Sequence, residues 1–231
     1  EVLIPAPYWV SYPEMARLAG GVPVLVRWTG DFRVALDDLA AKITPRTRAL
    51  LLNSPNNPSG AVYPREDLER MAALARKHDL AVISDEIYVR LVYGGRAHVS
   101  IASIAGMAER TVVAGGCSKT FAMTGWRLGW AAGPKDVVAA MAVLQSQSTS
   151  CVAPFVQRAA VDALRLGDAL VAPMLKEFDL RRKALLAKGR TWPGTRAAEP
   201  QGAFFVFADV SALIGKRLDG KGAPITDDLA L

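Results

Sequence analysis

Residues 115–130 combine side chains that could perform covalent chemistry. Their sequence is GGCSKTFAMTGWRLGW, in which Lys119 follows a pair of glycines and Arg127 lies beyond another glycine. A lysine surrounded by desolvating groups loses its proton more readily and can attack an aldehyde, and the planar guanidinium of arginine suits a phosphate or a carboxylate. Taken singly, the pair is compatible with a nucleophile beside an anion site and equally with two surface charges.

Further polar and aromatic side chains lie where strand-like segments end. Asp85 follows the apolar run AVIS, Tyr88 comes three residues later, Asn57 lies in the turn SPNNPSG, and Trp9 follows the first strand-like segment. Each residue also has an ordinary interpretation, namely a helix N-cap or arginine partner, a turn amide, or a core aromatic residue. A carboxylate directly after an apolar strand is nevertheless costly unless it meets a cation or a hydrogen-bond donor.

Alternating strands and helices would bring these side chains together. Apolar runs typical of buried strands lie at 22–28, 48–53, 81–84 and 110–115. Helical patterns lie at 34–43, 64–79, 135–146, 152–166 and 168–188, and a further strand is predicted at 202–210. This alternation predicts an α/β fold, with a mostly parallel sheet covered by helices on both faces and ligands at the carboxyl ends of its strands.

Two domains are expected from the change in pattern along the chain. After Gly133 and Pro134, long helices replace the alternation of strands and helices. We predict a large domain over 1–166 and the beginning of a smaller α/β C-terminal domain over 167–231. The chain starts on a strand-like segment without a methionine, so we expect its natural N-terminus to lie further upstream.

The candidate side chains together match the needs of one cofactor. They comprise an amine, a carboxylate, a phenol, an amide, an aromatic ring and an arginine. Pyridoxal phosphate (PLP) requires a lysine for its aldehyde, a carboxylate for its ring nitrogen, donors for its ring oxygen and a cation for its phosphate. A metal site is not expected, because the chain has only two histidines and two cysteines.

Four motifs carry a resemblance to a known family. PAPYWVSYPEM, NSPNNPSG, SDEIY and SKTFAMTGWRLGW resemble, in order and approximate spacing, the motif series of the class I aminotransferases of PLP fold type I. The likeness is closest to the bacterial aspartate aminotransferase subgroup and runs from residue 1 to about 210. It implies PLP-dependent transamination between an L-amino acid, aspartate by first choice, and a 2-oxo acid, 2-oxoglutarate by first choice, in a homodimer.

The resemblance also implies roles for individual residues. Lys119 would bind the cofactor covalently and then move a proton between substrate and cofactor. Asp85 would keep the ring nitrogen protonated, while Tyr88 and Asn57 would donate hydrogen bonds to the ring oxygen. Asn57 is also a candidate to contact the substrate carboxylate. The remaining implied features are Trp9 stacked on the ring, Arg127 paired with the phosphate, and cis peptide bonds before Pro7 and Pro58.

The sequence departs from the family pattern near the lysine. Gly116 stands where many relatives have a phosphate-binding serine, and Ser118 is adjacent to Lys119 instead. We therefore expect backbone N–H groups or Ser118 to contact the phosphate. The glycine-rich phosphate-binding turn upstream of PAPYW and the C-terminal arginine that holds the substrate's α-carboxylate are not found. We thus expect a chain that is truncated at both ends and holds most of the cofactor site.

Composition limits the other classes of function. The chain is 51% hydrophobic and 22% charged, which predicts a soluble globular protein. No apolar run approaches the ~20 residues of a membrane helix. Despite a formal net charge of +6, aromatic residues do not interleave with the basic ones as in a nucleic-acid platform. Too few cysteines for a disulfide framework predict a cytoplasmic location.

Other functions on the same fold remain open. An aromatic-preferring transaminase, a lyase or a synthase of fold type I would keep every residue named above. A non-catalytic PLP-binding domain of a transcription regulator would keep them too, but no helix-turn-helix module is visible. A nucleotide-binding domain is set aside, because neither GxGxxG after a strand nor GxxxxGK[ST] occurs in the chain.

Overall fold

The computed structural model describes residues 1–217 and 224–227, and a six-stranded sheet forms its centre. The strands are β1 (Val2–Pro5), β2 (Pro23–Val26), β3 (Ala49–Asn53), β4 (Ala81–Asp85), β5 (Thr111–Gly116) and β6 (Gly129–Ala132). Their order across the sheet is β2-β1-β3-β4-β5-β6, and β6 runs antiparallel to β5 while the other neighbours are parallel. The predicted mostly parallel sheet is confirmed.

Helices connect the strands and continue beyond the sheet. The first four are α1 (Ser11–Leu18), α2 (Leu36–Ala41), α3 (Arg65–Lys77) and α4 (Cys117–Thr120). The longer helices are α5 (Lys135–Ser148), α6 (Pro154–Leu166) and α7 (Asp168–Gly189). All the helices predicted from the sequence are present, with ends shifted by at most two residues. Among the described residues, no helix has the length and apolar character that crossing a membrane would require.

Helix α3 shows why the sequence folds in this way. Pro64 precedes it in an extended conformation, and acidic residues in its first turn and basic residues in its last turn complement the helix dipole. Its buried apolar side chains follow the helical repeat and are Leu68, Met71, Ala72 and Ala75. They pack on one face of the sheet, in a core cluster that includes Leu3, Leu50, Leu52 and Val82.

The strand predicted at 202–210 is wrong for most of its length. Only Ala208–Asp209 (β8) is a strand, paired antiparallel with β7 (Arg196–Ala197). Instead, Phe204 and Phe205 contact Tyr88, and the centroids of their rings lie 5.3 and 5.8 Å from that of the Tyr88 ring. A short apolar run has no periodicity that separates a strand from other buried backbone, so the sequence pattern could not resolve this case.

The proposed domain boundary near residue 166 stays a prediction. Within the predicted C-terminal domain, residues 218–223 and 228–231 lie outside the described part of the chain. The described part of that domain is tied to the sheet domain by backbone hydrogen bonds, in which the N–H groups of Gly202 and Ala203 donate to the carbonyls of Gly60 and Leu91, each at 2.8 Å.

Candidate active site

A cavity of about 290 Å³ lies where the carboxyl ends of β3, β4 and β5 meet. Strand register makes Asn53 the neighbour of Asp85 and Asp85 the neighbour of Ala114, so three strand ends form one wall. The cavity is lined by Trp9, Tyr12, Asn53, Asn57, Asp85, Ile87, Tyr88, Ala114, Gly115 and Lys119. The structure thus brings together five of the seven residues predicted for the site, namely Trp9, Asn57, Asp85, Tyr88 and Lys119.

The carboxylate of Asp85 is held from two sides. The hydroxyl of Tyr12 donates to Oδ2 at 2.7 Å, and the backbone N–H of Ile87 donates to Oδ1 at 3.1 Å. The side-chain amide of Asn53 donates to the backbone carbonyl of Asp85 at 3.1 Å. An ionised carboxylate offers about four acceptor positions, so both oxygens keep room for a donor in the cavity.

The two tyrosines beside Asp85 are neutral phenols. Burial first, and the charge of Asp85 second, raise the pKa of Tyr12 far above its usual value. The same two causes, in the same order, raise the pKa of Tyr88 to about 12. Both hydroxyls therefore keep their protons near neutral pH and remain hydrogen-bond donors.

Asn57 lies in a turn that hydrogen bonds hold rigidly. Its backbone N–H donates to the side-chain oxygen of Asn53 at 2.7 Å, and Asn56 donates through its amide to the carbonyl of Pro7 at 3.1 Å. The peptide bonds before Pro7 and Pro58 are cis, as expected, and a further cis bond precedes Pro55. The hydrogen bond from Asn56 to Pro7 joins the turn after β3 to the loop after β1, which carries Trp9.

Trp9 lies at the rim of the cavity. Its side chain is half-exposed, and its ring meets the ring of Tyr12 edge-on, with centroids 5.5 Å apart and planes at 86°. Edge-on contact is a favoured geometry for aromatic pairs, so Tyr12 supports the ring for which the family resemblance implies stacking on the cofactor.

Lys119 reaches the cavity from α4, the short helix that follows β5. Its side chain is half-buried, and Nζ lies 5.7 Å from the centroid of the Phe204 ring. This distance is within the range of a cation–π contact, so an aromatic residue from the C-terminal part of the chain faces the amine.

The glycines before Lys119 serve packing within the sheet. A Cβ atom at Gly115 would lie 2.7 Å from Nε1 of Trp130, and one at Gly116 would lie 2.9 Å from the carbonyl oxygen of Leu128. The close approaches at these two glycines are therefore made by β6 and the residue before it. The same contact accounts for Gly116 in place of the family's serine, since any side chain there would displace the backbone of Leu128.

Arg127 and Ser118 lie outside the lining of this cavity. Arg127 is exposed, has a left-handed backbone conformation (φ 54°), and donates from Nη1 to the carbonyl of Thr124 at 2.8 Å. The carbonyl of Ser118 accepts from the hydroxyl of Thr124 at 3.0 Å. Ser118 thus lies beside Lys119 on α4, and Arg127 follows the short turn Thr124–Trp126. Contact of either residue with a phosphate stays a prediction.

Two lining residues, Tyr12 and Asn53, were missed by the sequence reasoning. Tyr12 lies in the first turn of α1, three residues after Trp9, and its backbone N–H donates to the carbonyl of Trp9 at 3.0 Å. Asn53 ends the apolar run of β3, as Asp85 ends that of β4. Both side chains are polar and buried, which requires hydrogen-bond partners and in hindsight indicates the site.

The side chains fit PLP. The cavity presents a primary amine, a carboxylate with free acceptor positions, a neutral phenol, an amide and an aromatic ring, which are the groups that the aldehyde, ring nitrogen, ring oxygen and ring face of PLP require. Within the described residues, no cluster of His, Cys, Asp or Glu is suited to bind a metal ion.

Comparison with known proteins identifies the relatives of the chain. The family model for aminotransferases of class I and II matches residues 1–227. A bifunctional aspartate aminotransferase and glutamate/aspartate-prephenate aminotransferase of Petunia hybrida is 49% identical over 229 residues, which are 96% of this chain and 48% of the relative.

Solved structures agree with this match. The aspartate aminotransferase of Rhizobium meliloti has a TM-score of 0.93 and 38% identity, over 99% of this chain and 58% of that structure. An aromatic aminotransferase of Pyrococcus horikoshii has a TM-score of 0.85 and 45% identity, over 90% of this chain and 56% of that structure. The chain spans about half the length of the curated relatives that it matches.

Proposed function

The chain belongs to the class I and II aminotransferases, which depend on PLP, and on that premise we propose that the protein exchanges an amino group between an L-amino acid and a 2-oxo acid. Aspartate and 2-oxoglutarate are the proposed substrates, because relatives at 38–49% identity are aspartate aminotransferases. The observation that carries the proposal is the cavity in which Lys119, Asp85 and Tyr88 converge at the edge of the sheet.

PLP, when bound, supplies an aldehyde carbon for amines and a ring that withdraws electrons. Lys119 would hold the cofactor through its side-chain nitrogen. Once an amino-acid substrate has displaced that nitrogen, the free amine of Lys119 would take the proton from the substrate's α carbon and pass it to the cofactor. The half-buried position of Lys119 at the cavity wall places its amine among the other lining groups.

The other lining residues would orient the cofactor and set its charge. Asp85, held by Tyr12 and the N–H of Ile87, would keep a proton on the ring nitrogen through a short ionic contact. Tyr88 and Asn57 would donate to the ring oxygen, and the raised pKa of Tyr88, about 12, keeps its proton in place at neutral pH. Asn57 is also proposed to contact the substrate carboxylate, and Trp9 to cover the ring face.

Arg127 and Ser118 are proposed to bind the phosphate, with Arg127 the larger contributor. We expect Arg127→Ala to weaken PLP retention by roughly 10- to 100-fold, the value of a charge-assisted contact, while covalent attachment at Lys119 still occurs. Equilibrium dialysis against PLP measures retention, and Arg158→Ala, which removes an exposed arginine on α6, is the matched control. Equal PLP retention and equal adduct yield in Arg127→Ala and the unaltered chain would show that Arg127 does not bind the phosphate.

Amino transfer itself is tested with the full chain loaded with PLP. We expect one oxaloacetate to form for each aspartate consumed and one glutamate for each 2-oxoglutarate consumed. The proposal fails if the PLP-loaded protein transfers an amino group between no pair of amino and 2-oxo acids.

A second candidate is an aromatic-preferring aminotransferase. It is favoured by the structural likeness to the Pyrococcus horikoshii enzyme, which is 45% identical to this chain. The same assay separates the two, because a kcat/KM for phenylalanine or tyrosine above that for aspartate would select the aromatic assignment.

We also infer a homodimer and a cytoplasmic location for the protein. The apolar side chains that α5 exposes, such as Val143 and Leu144 at 64% and 72%, support burial of this surface against further protein. The two cysteines, Cys117 and Cys151, are free thiols, which supports a reducing compartment.

A further inference from the structure

Glu86 is a buried acidic residue that the proposed chemistry does not use. It follows Asp85 directly, but side chains alternate at the end of a strand, so Glu86 is directed with Ser84 away from the side that Asp85 occupies. Only 8% of its side chain is exposed. A carboxylate at such a depth needs compensating contacts, and its surroundings provide them.

The Glu86 carboxylate joins two separate parts of the chain. Oε1 accepts from the hydroxyl of Ser84 on β4 at 2.9 Å and from the hydroxyl of Ser100 at 2.6 Å. Oε2 lies 3.0 Å from Nε2 of His98, whose side chain is 7% exposed.

These contacts keep Glu86 ionised. Burial alone would raise the pKa of Glu86, but His98, Ser100 and Ser84 together lower it below the usual value for a glutamate. The carboxylate is therefore the fixed point to which the segment 98–100 is attached. That segment continues into the turn Ile101–Ser103, whose first residue is buried in the core of the sheet domain.

The backbone of Glu86 is also part of the turn that supplies the cavity. Its N–H donates to the carbonyl of Ala114 on β5 at 2.8 Å, and its own carbonyl accepts from Val89 at 3.0 Å. Within the same turn, Ile87 donates to the carboxylate of Asp85, and Tyr88 accepts from Leu91. Asp85 and Tyr88 thus project from a turn of which Glu86 is the anchored residue.

We propose that Glu86 is a positioning residue, whose contacts with Ser84, His98 and Ser100 fix the turn 85–91 so that Asp85 and Tyr88 meet the cofactor. This inference rests on the proposed function, because it assumes that the cavity binds PLP. The fixing of the turn does not depend on PLP. Removing the charge of Glu86 would weaken the contacts that fix the turn and would alter no side chain that lines the cavity.

Hydrogen–deuterium exchange of the cofactor-free full chain tests the proposal. We expect Glu86→Gln to speed amide exchange in residues 85–91 by at least about tenfold, because one charge-assisted hydrogen bond is lost. Exchange in the β3 peptide 49–53 should stay unchanged. Ser100→Ala, which keeps the charge, should act in the same direction with a smaller effect, and it decides the question if Glu86→Gln does not fold. Glu109→Gln, an exposed glutamate, is the matched control.

PLP binding supplies the second readout. We expect Glu86→Gln to weaken PLP retention in proportion to the faster exchange of 85–91. Unchanged exchange in 85–91, or equal acceleration in 49–53, would overturn the proposal, since the latter marks a global loss of stability. Failure of the proposed function would be seen differently, as the absence of PLP uptake by the unaltered chain.

Discussion

Replacing Lys119 by alanine is expected to abolish covalent attachment of PLP. Lys119 is the amine at the cavity wall, and the remaining lining groups are a carboxylate, two phenols, two amides and apolar residues. Noncovalent PLP binding should survive in part, because Asp85 and Tyr88 remain. Amino transfer should fall by at least roughly 10²- to 10⁴-fold, the usual effect of removing a proton-transfer group, and mass spectrometry after borohydride reduction should find no pyridoxyl group in the cavity.

Lys135→Ala is the control for this variant. Lys135 lies at the exposed start of α5 and should leave both the adduct and the rate unaltered. A pyridoxyl adduct of full yield in Lys119→Ala, located on any other lysine, would contradict the role assigned to Lys119.

The second large effect is expected for Asp85→Asn. Asparagine keeps one oxygen, for the hydroxyl of Tyr12 or the N–H of Ile87, and loses the other acceptor together with the charge that would hold a proton on the ring nitrogen. Breaking a buried ionic contact costs roughly 3–5 kcal/mol, so the rate of amino transfer should fall roughly 10²- to 10⁴-fold. Lys119 should still attach PLP, because its amine is untouched.

The measurement is the single-turnover rate with aspartate, together with the yield of the pyridoxyl adduct. Asp37→Asn, on the exposed start of α2, is the matched control. A rate for Asp85→Asn within a few-fold of the unaltered protein would show that the charge of Asp85 is not used.

The strand ends show why much of the site could be predicted from the sequence. The apolar runs at 48–53 and 81–84 are short and lead directly to the polar residues Asn53 and Asp85, and the carboxyl ends of parallel strands share one edge. Asp85 could therefore be placed beside the turn that holds Asn57. In the structure, Asn53, the last residue of β3 before this turn, is the register neighbour of Asp85. Local pattern was sufficient for these residues because the alternation of strands and helices predicts parallel strands.

Contacts between segments that lie far apart in the sequence could not be predicted from local sequence patterns. The bond from Tyr12 to Asp85 spans 73 residues, and the approach of Leu128 to Gly116 depends on an antiparallel strand with no periodic signal of its own. The packing of Phe204 against Tyr88 likewise replaced the expected strand at 202–210. Tertiary packing decides these features, and a window of sequence contains no information on which segments will meet.

The most direct test is borohydride reduction of the full chain after incubation with PLP, followed by peptide mapping. A nucleophilic lysine in a cofactor cavity predicts one stable pyridoxyl group, on the peptide that contains Lys119 and on no other lysine. Label distributed over exposed lysines such as Lys135 and Lys183, with none enriched at Lys119, would contradict the assignment of this cavity as a PLP site.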